Sequence, residues 1–192
     1  MPMLSRAFKV LFMWLPLALL PAKTVANSEN VWAVWKQEGV HAIMRHATAP
    51  GFGDPAHFTL GRCDTQRNLN DTGRQEARAL GETIRKQGIA LSAVYSSQWC
   101  RCLDTAKELR LGKVQELPAL NSFFRDRSHS ENQTAALKKH IAALGPTEKI
   151  LYVTHQVNTT ALTGVYPASG QIILFKLGQN GEIQVVGTIN SD

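Results

Sequence analysis

The sequence predicts an α/β fold, a three-layer α/β/α sandwich with a mainly parallel sheet. Short apolar strand-like runs alternate with amphipathic helical stretches, the pattern of crossover-connected strands covered by helices. Three of those runs end on cationic or imidazole side chains: Met44 leads to Arg45-His46, Ser96-Ser97 to Arg101, and Thr154 to His155. In open α/β sheets the carboxyl ends of the strands are where ligands sit. No internal repeat or low-complexity block interrupts the pattern.

The elements follow in order. Arg6 and Lys9 precede an apolar run from Val10 to Leu20, then Pro21 and the small-residue stretch Thr24-Val25-Ala26. That is the layout of a secretory signal, and the run is too short to span a bilayer comfortably. Residues 1–26 are therefore expected to be a removable signal and 27–192 one domain, located in a periplasm or outside the cell, with no stable membrane span. Residues 27–36, with Trp32 and Trp35, read as a short helix. Strand one is Val40–Met44. The stretch from Ala47 to Asn70 is a long loop rich in Gly, Pro, Asp and Thr, which marks a functional wall rather than a connector. Thr72-Gly73-Arg74-Gln75 fits a capping box ahead of a helix with the stripe Ala77, Leu80 and Ile84, and Gly88 ends it. Strand two is Ala93–Ser96, followed by a helix from Gln98 to Leu109. Ser130 is expected to cap a helix with the stripe Leu137, Ile141 and Leu144, stopped by Gly145-Pro146. Strand four is Ile150–Val153, followed by a short helix over Val157–Thr163. Ile172–Leu177 and Ile183–Ile189 read as a terminal hairpin.

Charge narrows the function classes. Lys and Arg number 21 against 15 Asp and Glu, a formal net charge of +6. Arg6, Lys9 and Lys23 lie in the expected signal, so the domain carries about half of that excess. No basic run or aromatic-basic stripe supports nucleic-acid binding. A mildly positive site suits an anionic substrate. The three cysteines, Cys63, Cys100 and Cys102, do not have zinc spacing, no other metal-ligand spacing is present, and export makes a disulfide plausible.

The strand-end residues suit phosphoryl chemistry. Phosphoryl oxygens repel a nucleophile unless their charge is neutralised, which arginine forks do by paired hydrogen bonds. A neutral imidazole can then attack in line, forming a phosphohistidine that water hydrolyses. Arg45, His46, Arg101 and His155 supply these parts, and no cofactor is needed.

Their motifs resemble those of the histidine phosphatase superfamily, the phosphoglycerate mutase-like group. Arg45-His46-Ala47 is similar to its Arg-His-Gly signature. Asn68 to Ala77 resembles its Leu-Thr-x-x-Gly-x-x-Gln-Ala helix start. Ser96 to Ala106 is similar to its Ser-x-x-x-Arg-x-x-x-Thr-Ala segment, and Thr154-His155 to its second histidine motif. The resemblance implies a phosphatase acting on a phosphate ester or phosphoramidate, or on an envelope phosphosugar, without metal or cofactor. Its partner would be a small phosphorylated substrate or a phosphoglycan. A catalytically silent phosphate-binding protein is the reading from another class. The resemblance also implies roles: His46 as nucleophile, Arg45 and Arg101 on the phosphate, His155 on the transferring group, and Thr48 and Asn158 as further substrate contacts. Its acid-phosphatase branch has Asp after the second histidine, where this chain has Gln156, which cannot donate as an acid does. Asp126, Glu131 and Asp54 are the candidates for that proton donor, with Asp126 favoured by its setting in Phe123-Phe124-Arg125-Asp126-Arg127. By the same resemblance Cys102 packs inward as a free thiol and Cys100 pairs with Cys63. A Cys63–Cys102 bridge and three reduced thiols are the alternatives.

Overall fold

The computed structural model describes residues 28–191; the expected signal segment lies outside them. Six strands form one sheet in the order β3-β2-β4-β1-β5-β6. These are β1 (His41–Arg45), β2 (Ala93–Ser96), β3 (Val114–Glu116), β4 (Ile150–Thr154), β5 (Ile172–Leu177) and β6 (Ile183–Ile189). β3, β2, β4 and β1 run parallel, and β5 lies antiparallel to both β1 and β6. The helices are α1 (Ser28–Lys36), α2 (Asp71–Lys86), α3 (Cys100–Leu109), α4 (Ser130–Ala142) and α5 (Gln156–Thr163).

Side chains that alternate along a strand point to opposite faces, and here both faces are covered. Ala42, Met44, Leu151, Val153, Ile172 and Leu174 pack beneath Trp35 of α1, Leu80 and Ile84 of α2, and Ala106 and Leu109 of α3. Ile43, Ile150, Tyr152, Ile173 and Phe175 pack against Leu137 and Ile141 of α4 and Leu162 of α5. The expected three layers result.

Two helix starts differ from expectation. The cap of α2 is Asn70, whose Oδ1 accepts from Gly73 N at 2.8 Å, rather than Thr72. Asn is a strong cap in its own right; in the next turn Glu76 accepts from Thr48 N at 3.1 Å. Ser130 is the first residue of α4 and not its cap; a 3-10 turn, Arg127–His129, precedes it, and Asp126 caps that turn. β3 escaped the sequence reading because it is three residues long, with two of them exposed on the sheet edge.

The sheet order positions the site. β4 lies between β1 and β2, with Arg45 opposite Thr154 and Ser96 opposite Val153. The three chemistry-bearing strand ends are therefore neighbours. Among the described residues no helix is long and apolar enough to cross a membrane.

Candidate active site

A cleft of about 170 Å³ opens at these strand ends and is lined by Arg45, His46, Arg101 and His155. Phe52, Asp54 and Arg67 from the long loop form part of its wall.

His46 follows β1 and is buried; its backbone N donates to Thr154 O at 2.9 Å. Its Nδ1 lies 2.7 Å from Ala47 O. A carbonyl can only accept, so Nδ1 carries the proton and the neutral ring keeps its lone pair on Nε2. Burial, reinforced by the Arg101 guanidinium, holds the His46 pKa well below its usual value of 6.5. The imidazole is thus neutral and nucleophilic at physiological pH.

His155 caps α5 without a side-chain cap bond and is buried. Arg101 Nη2 donates to its Nδ1 at 3.3 Å, so Nε2 carries the hydrogen and donates to Ser97 Oγ at 2.9 Å. Ser97 in turn donates to Asn121 Oδ1 at 3.2 Å. Burial lowers the His155 pKa well below 6.5, with Arg101 and His46 adding to the effect. The His46 and His155 rings stand nearly edge to face, 5.7 Å apart.

Arg101 is the second residue of α3, and its guanidinium is buried. Both Nη atoms donate to Asp54, at 2.7 and 3.2 Å. The Asp54 carboxylate also accepts from Trp99 Nε1 at 3.1 Å and from Arg67 N at 3.2 Å. Burial works to raise the Asp54 pKa, but the Arg101 hydrogen bonds and charge outweigh it, and the net shift is downward from 3.8. Arg45 donates from Nη1 to Pro167 O at 3.3 Å, and Arg67 donates to Gly53 O at 2.9 Å and to Ala49 O. Burial depresses both guanidinium pKa values, and the nearby Arg101 charge lowers them further. Anion binding relieves that mutual repulsion.

The long loop is fastened to α3. Cys63 and Cys100 form a disulfide with Cα atoms 5.6 Å apart, and Cys102 is a buried free thiol. Gln66 Oε1 accepts from Cys100 N at 3.0 Å. Thr105 Oγ1 accepts from Ala47 N at 3.0 Å and donates to Arg101 O at 2.7 Å, joining the backbone after His46 to that of Arg101. Gly73 packs so closely that a Cβ there would lie 2.1 Å from Thr48 O.

Arg45, His46, Arg101 and His155 thus come together, while three expected site residues do not line the cleft. Asp126 lies outside it: its carboxylate caps Ser128 N at 3.0 Å and pairs with His129, with the side chain 61% exposed. Asn158 is buried and donates to Asn121 O at 2.8 Å. Thr48 meets Glu76 through its backbone. Glu131 sits in the first turn of α4, also away from the cleft. Of the three donor candidates, the structure brings in Asp54. Arg67 was missed; its signal was an unpaired arginine in the long loop, three residues before the Asn70 cap.

Residues 42–128 match the family model of the histidine phosphatase superfamily, branch 1. No curated protein sequence matches the chain. Solved structures share its fold. The protein histidine phosphatase SixA complexed with tungstate is 17% identical, with a TM-score of 0.57 over 79% of this chain and 97% of that one. YhfR of Bacillus stearothermophilus is 16% identical, with a TM-score of 0.59 over 79% and 98%. Phosphoserine phosphatase of Entamoeba histolytica, in its complex with phosphoserine, is 13% identical, with a TM-score of 0.56 over 80% and 98%. Residues 42–128, which carry Arg45, His46 and Arg101, thus match the histidine phosphatase superfamily, and the chain shares the fold of these solved structures.

Proposed function

We propose that the protein is an exported phosphatase that hydrolyses a phosphate ester or phosphoramidate through a phosphohistidine at His46. The observation that carries this reading is the tautomer of His46: Nδ1–H is committed to Ala47 O, leaving a lone pair on Nε2 in a cleft lined by four arginines. The match of residues 42–128 to the histidine phosphatase superfamily and phosphatases of the same fold support it.

In the first half-reaction Nε2 bonds to phosphorus as the bond to the leaving oxygen breaks. Arg45, Arg67 and Arg101 neutralise the phosphoryl oxygens. Asp54 is the acidic residue lining the cleft. Its low pKa means that it arrives ionised. A monoester has a second pKa near 6, so a monoanionic substrate can pass its proton to Asp54 as its own charge settles on the arginines. Asp54 then gives that proton to the leaving oxygen. In the second half-reaction its carboxylate takes a proton from the attacking water, and the phosphorus–Nε2 bond breaks.

Export rests on the N-terminal signal pattern and on the Cys63–Cys100 disulfide, which belongs to an oxidising compartment.

The test is a rapid-quench reaction with a ³²P-labelled aryl phosphate under alkaline conditions that preserve phosphohistidine. Label should appear on the peptide containing His46, and His46→Ala should lose both label and turnover. Unlabelled protein that still binds phosphate would instead make it a silent binder.

A further inference from the structure

Of the four large apolar side chains left exposed among the described residues, two stand at the cleft: Phe52 (88% exposed) and Tyr166 (72%). Phe52 is held in place, edge-on to Phe124 with ring centroids 5.1 Å apart. It lies between Gly51 and Gly53, whose φ values of 91° and 66° favour glycine. Exposed aromatic surface beside a polar cleft marks a ligand contact rather than a packing remnant.

Charge gives a second, independent observation. The cleft is lined by four arginines and one carboxylate, a net charge of +3. Arg101 is paired with Asp54, whereas Arg45, Arg67 and Arg125 form no ion pair among the described residues. A phosphate monoester brings a charge of about −1.5 to −2, which leaves roughly one positive unit unmatched. Arg125 is the spare. It follows Phe124, donates a single bond to Pro55 O at 3.1 Å, and lies 6.0 Å from the centre of the Phe58 ring.

Resting on the phosphatase reading, we propose that this mouth is a subsite for the alcohol half of the substrate, and that this half is a ring bearing a second anionic group. Phe52 and Tyr166 pack on the ring, and Arg125 pairs with the second anion. The cleft runs from the buried His46, Arg101 and His155 to the exposed Phe52 and Tyr166. It holds the phosphoryl group and leaves the ring at the aromatic mouth. Sugar rings and aryl rings share this chemistry, and the experiment separates them.

The experiment compares kcat/KM within matched sets on the intact domain. Glycerol 3-phosphate and glucose 6-phosphate are both primary alkyl monoesters but differ in the ring. Glucose 1,6-bisphosphate adds the second anion to glucose 6-phosphate. Phenyl and carboxyphenyl phosphate form the aryl pair. Each added feature should raise kcat/KM by roughly 10-fold. Arg125→Ala should erase the gain from the anion, and Phe52→Ala with Tyr166→Ala the gain from the ring, so that glucose 6-phosphate falls to the rate of glycerol 3-phosphate. A larger gain from the second anion in the glucose pair assigns a sugar; one in the aryl pair assigns an aryl acid. Equal rates across the panel, or variants that slow every substrate alike, overturn the subsite while leaving the phosphatase standing. Absence of turnover on the whole panel together with absence of phosphohistidine at His46 removes the phosphatase reading and the subsite with it.

Discussion

The carboxylate of Asp54 accepts from both Nη atoms of Arg101, at 2.7 and 3.2 Å, and both side chains are buried. The pair joins the long loop to the first turn of α3, and the donors engaged are those a phosphoryl oxygen would use.

The role of Asp54 can be separated from that of Asp126 by leaving group. Asp54→Asn should lower kcat on alkyl phosphates by about 10²-fold or more, and far less on aryl phosphates whose phenols leave unaided. Asp126→Asn should leave kcat/KM unchanged on both, since Asn keeps an oxygen to cap Ser128 N. If Asp54→Asn slows both substrate classes equally, Asp54 only positions Arg101.

The disulfide should matter to stability and to substrate binding. It joins residues 37 apart in sequence. Cys63→Ser should lower the unfolding free energy by about 2–4 kcal/mol and raise KM, because the Asp54 and Arg67 wall is freed. Urea denaturation and steady-state kinetics measure the two effects. Non-reducing peptide mapping should find Cys63 joined to Cys100. Burial pushes the Cys102 thiol up to about 12, so it should resist alkylation until the protein unfolds. Two or more alkylatable thiols in the native protein would count against the bridge.

Acid should weaken the fold through His41. Burial, helped by the Lys149 charge, lowers its pKa from 6.5 to about 4. The unfolded chain therefore binds the proton more readily than the folded one. The stability contribution is fully present above pH 6.5, is lost as the pH falls from 6.5 to about 4, and changes no further below that. The span corresponds to about 3 kcal/mol. His46 and His155 shift in the same direction. Urea midpoints between pH 7 and 4 should fall more steeply for wild type than for His41→Gln; parallel slopes would assign the acid sensitivity elsewhere.

Gly73→Ala tests how the nucleophile is held. The new Cβ would meet the Thr48 carbonyl, backbone that cannot swing aside, two residues after His46. Overpacking of this kind costs about 1–3 kcal/mol. The variant should show a lowered melting temperature and a reduced kcat, with phosphohistidine formation slowed. Wild-type stability and rate would mean that the loop shifts freely.

The sequence by itself determined the layers and the reacting groups. Apolar runs bounded by turn residues give β1, β2, β4 and the terminal hairpin, and the stripes of α2 and α4 name the residues they bury. Arg45, His46, Arg101 and His155 were legible because each is fixed locally, at a strand end or in the first turn of a helix. Cap choice was less legible, because Asn70 and Thr72 both offer capping oxygens two residues apart. The identity of the carboxylate was decided only by tertiary structure. Asp126 and Asp54 both lie in loops amid arginines and aromatics, and local sequence does not distinguish them. What separates them is the path of the chain from Ala47 to Asn70, closed by the Cys63–Cys100 bridge and by Gln66 on Cys100 N. That path carries Asp54 onto Arg101, 47 residues away, while a three-residue turn keeps the Asp126 carboxylate at its own backbone. Long-range placement of a loop depends on contacts distant in sequence, and no local propensity encodes it.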